Sequence, residues 1–240
     1  MRVEKIEMIR IGWGEEKTMG NIREKVKKND YIYHLYTKIF RILGCNKIKG
    51  KKGNTIRVSA SKIRRTKINV SGNNSYIEVG QHTLLNNCSI TIIGNCCKVK
   101  IAENSILNGV NIWCEDDNST VIVGRNGLMM GNVQLASTEG KCITIGDDFL
   151  FSDTICIRTG DSHSIVDLKG LRINQAIDVT LGNHVWVGNQ VIILKGTEIA
   201  DNCVVGSGSV VTKKFTNNLV IAGNPARVVK ENIDWKFERI

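Results

Sequence analysis

Four aliphatic-plus-small pairs recur in this chain at a fixed interval: Val79-Gly80, Ile101-Ala102, Val123-Gly124 and Ile145-Gly146, each 22 residues after the last. A finer period lies inside. From Val187 an aliphatic returns every six residues, at Ile193, Ile199, Val205 and Val211. Four residues after each of the first four stands a small or branched side chain: Val191, Thr197, Cys203 and Ser209. Ile145, Phe151 and Ile157, with Phe149 and Ile155, obey the same rule, as do Val123 and Met129, with Gly127 and Val133. A period this short admits few folds. It predicts a parallel β-helix in which each six-residue unit is a short strand plus a turn, and three units close one triangular coil. The repeated aliphatic points inward and stacks on its equivalent about 4.8 Å away. The Gly, Asn and Asp residues that follow it take the corners, where positive φ is needed. Composition agrees: 23 glycines, one proline and only 5% aromatic residues suit a core of small branched side chains.

One step is longer. Ile145 to Val187 is 42 residues, an ordinary step plus about 20, and the excess falls near Arg158–Asn174. A solenoid that extrudes one long loop usually does so for function. The expected organisation is an N-terminal segment over residues 1–50, a β-helix over 51–225 with an extruded loop at about 158–175, and a helical tail over 226–240. Tyr31–Leu43 reads as an amphipathic helix with Ile32, Leu35, Tyr36, Ile39, Phe40 and Leu43 on one face, Asp30 as N-cap and Gly44 as stop. This helix is expected to cap the open first coil, as a solenoid requires. Residues 1–29 give no clear pattern. Ile56, Val58, Ile63, Ile68 and Val70 are the inward candidates of irregular first coils, and Trp235 is expected to pack back from the tail.

No run of 18 apolar residues exists, so no membrane-spanning helix is expected. The N-terminus lacks an apolar leader, and eight cysteines without one point to a reducing, cytoplasmic setting. No C-x-x-C occurs, and no H-x-x-x-x-H of the kind a three-histidine zinc site on such a fold would use, so no metal is expected. Cys97 and Cys203 fall at small inward slots and read as core. The net charge of +10 suits a polyanionic or phosphorylated partner. Eleven basic residues and no acidic one lie between Asp30 and Glu78, among them Lys51, Lys52, Arg64 and Arg65. They form either a solvated face or a contact for an anionic polysaccharide, a pyrophosphate-linked lipid carrier or a membrane surface. Nucleic acid is disfavoured, since no aromatics are interleaved.

From about Ile177 the sequence resembles the hexapeptide-repeat acyltransferases. The motifs that carry this are Asn183-His-Val-Trp-Val-Gly188, Ile193-Leu-Lys-Gly196, Val205-Gly-Ser-Gly-Ser-Val-Val-Thr-Lys213 and Ala222-Gly-Asn-Pro-Ala-Arg227. Within that family, Ser152-Asp-Thr and Thr159-Gly-Asp-Ser-His163-Ser-Ile look like the branch that O-acetylates surface polysaccharides of capsule or lipopolysaccharide. The resemblance implies a left-handed β-helix, a homotrimer and acetyl-CoA as co-substrate. It implies CoA contacts at Asn189, Ser207, Thr212, Lys213, Arg227 and Lys230, with lysine at 230 where arginine is more usual.

His163 is the candidate general base, because a sugar hydroxyl must lose its proton to attack a thioester and imidazole titrates near neutrality. Asp161, two residues earlier, would either orient that imidazole or cap its own turn. Trp186 follows an inward valine, so it points outward, toward acceptor sugar, the acetyl-pantetheine arm or a trimer neighbour. His82 and His184 sit three residues after an inward aliphatic and read as exposed corner residues, and His34 reads as structural. Two rival functions share these features: N-acetylation of a nucleotide-linked amino sugar, and a non-enzymatic binding scaffold.

Overall fold

The structure, a computed structural model, describes residues 30–240; the unpatterned stretch 1–29 lies outside them. Among the described residues one helix, α1 (Asp30–Leu43), precedes a parallel solenoid of about eight turns. Most strands are short and bury every second side chain, and the parallel ones pair with the strand one coil on. The 22-residue reading is the observed register: Val79 pairs with Ile101, Ile101 with Val123 and Val123 with Ile145. Below the loop the step is 18, with Leu181 on Ile199, Val187 on Val205 and Ile193 on Val211.

Three faces result. Face 1 runs from Thr55–Val58 through Val179–Leu181 to Lys214–Phe215. Face 2 carries Lys47–Gly50, Ser89–Ile92, Ile155–Arg158, Ile192–Ile193 and Val210–Val211. Face 3 carries Lys62–Arg64, Leu150–Phe151, Trp186–Val187 and Leu219–Gly223. Strands Ile106–Cys114 and Leu128–Ser137 bend around the corner and serve both face 3 and face 2. The first coil therefore begins at Lys47, inside the segment assigned to 1–50.

From Ile63 on the inward aliphatics are buried, with Cys97 and Cys203 among them, whereas Ile56 and Val58 of the first coil are half-buried. Gly127 shows why a small slot is needed: a Cβ there would stand 2.1 Å from the Phe149 ring of the next coil. One corner column is continuous in backbone hydrogen bonds and in left-handed φ, through His82, Asn104, Asn126, Asp148, His184, Asn202 and Asn218.

Four expectations are corrected. First, Ile145 stacks on Leu181, not on Val187, which stacks on Phe151. The long step is thus 36 residues, one extra 18-residue coil's length, and Val187 obeyed the hexad rule one unit later. Second, the tail is not helical. Ala226–Glu231 is a strand, antiparallel to Leu219–Gly223. The last edge strand offers unpaired N–H and C=O groups, and β-branched Val228 and Val229 suit pairing better than a helix. Trp235 does pack back and is buried.

Third, α1 packs by another side than its apolar stripe. Tyr33, at 3% exposure, and Thr37 are buried, whereas Leu35 is 51% and Leu43 75% exposed. Close approach decides this: a Cβ on Gly44 would lie 2.5 Å from the Ile63 carbonyl, so the side with the small residues faces the coil. Fourth, His82 and His184 occupy corners but are covered. The His82 ring lies 4.6 Å from Tyr33, and the His184 ring stacks 4.0 Å from Trp235.

Candidate functional site

The extruded loop leaves face 2 after Arg158 and closes where the Ile177 amide donates to the Thr159 carbonyl (2.8 Å). Its outer part is a short hairpin, with Val166 bridged to Arg172 and the Ile173 amide bonded to Ile165. A buried polar hub fixes it. Asn174 accepts from the Ile165 amide (2.7 Å) and the Arg172 guanidinium (3.1 Å). Its amide nitrogen donates to Asp161 and to the His163 carbonyl, both at 2.8 Å. The Lys195 ammonium, from the coil below, donates to Asp161 (2.6 Å) and to the Asn174 carbonyl (2.8 Å). Arg172 also bonds Glu139 of the coil above, whose other carboxylate oxygen accepts from the Ala176 amide (3.2 Å).

The charges follow this geometry. The Lys195 ammonium, with Asn174, holds the Asp161 carboxyl below its ordinary range. Arg172 does the same to Glu139. Asp161 makes no hydrogen bond to the His163 imidazole. A nearby ammonium is the stronger partner, so Asp161 holds the loop, and through Asn174 it holds the His163 main chain. The His163 side chain is exposed, and among the described residues its ring takes no hydrogen bond.

Beside the loop base, a groove of about 520 Å³ runs up the outside of face 2. Its floor is built from successive coils. One column holds Ser89, Asn111 and Gln134; the next holds Thr91, Trp113, Ala136 and Arg158, each in register with the last. Gly160, Asp161 and Ser162 close one end. Trp113 is 42% exposed. It stands between inward Ile112 and Cys114, so the rule that turned Trp186 outward applies to it equally. Asn174, Lys195, Arg172 and Glu139 carried no such signal.

Below the loop the same face continues through Ile192 and Val210. Asn189 and Ser207 stack at its corner with face 3, where the Asn189 backbone N–H donates to the Ser207 hydroxyl oxygen (3.1 Å). Arg227 pairs with Ala222 at that same corner, and Lys230 lies further along the strand. Thr212 and Lys213 lie at the opposite corner, between faces 2 and 1. Lys213, Arg227 and Lys230 are exposed, and none has a carboxylate partner among the described residues. Trp186 is set apart: it lies on face 3, 37% exposed, with its ring 6.0 Å from Trp235. One chain does not bring it to the groove.

Thiol chemistry is disfavoured at the buried cysteines Cys88 and Cys114. Burial pushes Cys88 up to about 11 and Cys114 up to about 12, so the reactive thiolate is scarce there. Among the described residues no group of three or more metal-ligating side chains is assembled.

A parallel solenoid of six-residue units closed into three faces defines a class of fold, and comparison agrees on that fold. Residues 178–213 match the family described as bacterial transferase hexapeptide (six repeats). The chain is 39% identical over 185 residues to the polysialic acid O-acetyltransferase of Neisseria meningitidis, covering 76% of this chain and 85% of that one. It belongs to the hexapeptide-repeat acyltransferase family and has that family's left-handed β-helix. A crystallographic structure of a polysialic acid O-acetyltransferase superposes with a TM-score of 0.76 at 36% identity, over 81% of this chain and 92% of that one. The galactoside O-acetyltransferase of Escherichia coli K12 is 34% identical over 113 residues, 47% of this chain. That match spans 55% of the galactoside enzyme, about half its length.

Proposed function

We propose that this protein transfers acetyl from acetyl-CoA to a hydroxyl of a surface polysaccharide sugar, as a homotrimer. The observation that supports this most is the division of face 2 by the His163 loop. Above it lies a groove lined by hydroxyls, amides, one indole and the charged side chains of Arg158 and Glu115, a polar chemistry that suits a sugar. Below it lie exposed, unpaired cations fit for the phosphates of CoA.

In this reading His163 takes the hydroxyl proton as the oxygen attacks the thioester carbonyl. The carbon–sulfur bond then breaks, and the imidazolium returns its proton to the departing thiolate, leaving an acetyl ester and free CoA. Asn189 and Ser207 line the pantetheine arm, and Thr212, Lys213, Arg227 and Lys230 hold the phosphates. Asp161 is a positioning residue, acting on His163 through Asn174. Trp186 joins the site from a second copy, which gives the trimer a chemical purpose. The polysialic acid named for the similar O-acetyltransferase of Neisseria meningitidis is the first acceptor to try.

The test is mass spectrometry of acceptor mixtures incubated with acetyl-CoA. Acetylated oligosaccharide is expected. Acetylation of nucleotide-linked amino sugars alone would replace this function with N-acetylation, and absence of CoA binding by calorimetry would leave a scaffold.

A further inference from the structure

The helix α1 presents its apolar stripe outward. Tyr31, Leu35, Ile39, Ile42 and Leu43 are all exposed, Ile42 at 81%. The opposite side, through Tyr33, Thr37 and the Gly44 turn, is held against the solenoid. Three residues on, the first coil leaves Ile48 44% exposed. Its register partner Ile68 is buried, so Ile48 is an inward position at an end of the stack that no described coil covers. Exposed aliphatic surface of this extent, gathered at one end of a molecule, marks a contact.

Charge says what kind. Between Asp30, which opens the helix, and Glu78, the helix and first coils carry eleven basic residues, from Lys38 to Lys67, and no acidic one. Lys38, Lys47, Lys49, Lys51 and Lys52 are exposed around the apolar patch, and no ion pair uses them among the described residues. A soluble polyanion would need the cations but not the aliphatics. A second copy would need the aliphatics, but would bring the same cations into repulsion. An anionic lipid surface uses both: an amphipathic helix lies in the interfacial plane while lysines meet the headgroups.

We infer that α1 and the first coil dock on an anionic membrane surface, with the helix axis in the interface. This rests on exposure and charge, and does not depend on the acetyl-transfer reading.

Sedimentation of the full chain with vesicles tests it. The chain should sediment with phosphatidylglycerol-rich vesicles, stay in solution with pure phosphatidylcholine, and be released by salt. Leu35→Ser, Ile39→Ser and Ile42→Ser together should weaken partitioning at least about tenfold while leaving the thermal midpoint intact, since these side chains touch water. Lys49→Gln, Lys51→Gln and Lys52→Gln together should remove much of the salt dependence. The inference is overturned if the chain ignores anionic vesicles, or if the triple serine variant binds them as before. It also fails if that variant instead loses a dimer or higher assembly in ultracentrifugation, or if soluble polyanion binds both forms alike and vesicles bind neither.

Discussion

The coils above and below the extruded loop are built on one rule but do different things. Above it the coil step is 22 residues in most registers, and face 2 strands such as Ser89–Ile92 and Ile155–Arg158 are four residues long. Each such strand turns two side chains outward, which gives the groove its two columns. Below it the step shortens to 18 residues and then to 16, and Ile192–Ile193 and Val210–Val211 have room for one outward side chain each. The lower half is therefore a narrow ridge flanked by corners, and its chemistry sits on those corners: Asn189 and Ser207 on one side, Thr212 and Lys213 on the other. Four residues per coil separate a broad polar floor from a cation-edged ridge, and the loop stands where the period changes.

The largest effect expected is at that junction. His163→Ala should keep the assembly and CoA binding, but lose at least about two decades in kcat, the range for removing a general base. Turnover near wild type would end the proposed mechanism. Asp161→Asn and Asn174→Ala should lower kcat less, with both KM values nearly unchanged, because they act on the His163 main chain.

Next in size are two changes that should separate the halves. Lys213→Ala should raise KM for acetyl-CoA roughly tenfold, if one charge-assisted phosphate contact is worth about 1.5 kcal/mol, and leave the acceptor KM alone. Trp113→Ala should do the reverse by a similar factor, since loss of one aromatic contact costs about 0.5–1.5 kcal/mol beyond area. Initial-rate kinetics with each substrate varied decides. Two variants that move the same KM would erase the division of face 2.

The loop anchor has a pH signature. Asp161 is held below its ordinary range by Lys195, so its stabilising contribution is complete above the unfolded carboxylate value near pH 4. It is lost as pH falls through the lower, folded value. Hydrogen exchange of loop amides, corrected for intrinsic rate, should be flat from about pH 5 to 8 and rise only below about 4. A rise near neutrality would mean that a group other than the carboxylates anchors the loop.

The sequence made the inside of this solenoid readable and much of its outside not. Hexad spacing picked out Val79, Phe149, Val187 and Cys203 as core because a stacked coil repeats one inward slot. It also showed that α1 exists, yet not which side it buries. Periodicity says which residues share a face, while the choice of face fell to close packing at Gly44 and Thr37. Val228 and Val229 were counted toward a helix although an open sheet edge was waiting for a strand. His163 was visible as a histidine in an interruption. Asn174, Lys195 and Glu139 were not, because their meeting depends on how the loop folds back over two coils. Trp113 was legible by the same outward rule as Trp186.

The smallest effects are expected at the two ends, where His82 and His184 hold equivalent corners. Each ring is covered by a flanking aromatic, Tyr33 above and Trp235 below. Each main chain is left-handed, at φ 58° and 55°. Neither ring lines the groove, so His82→Ala and His184→Ala should leave kcat and both KM values within a few-fold of wild type. Stability should fall by two separable amounts. Removing the ring loses about 0.5–1.5 kcal/mol of aromatic contact. Placing alanine at a left-handed corner costs roughly 1–2 kcal/mol more. Asparagine avoids the second cost, and it already occupies positions 104, 126, 202 and 218 of the same column. His82→Asn and His184→Asn should therefore recover about half the loss in thermal midpoint. Equal midpoints for the alanine and asparagine variants would show that the aromatic clasp, not the corner conformation, is what these histidines supply. A large loss of turnover in His184→Ala would move the base from the loop to the corner.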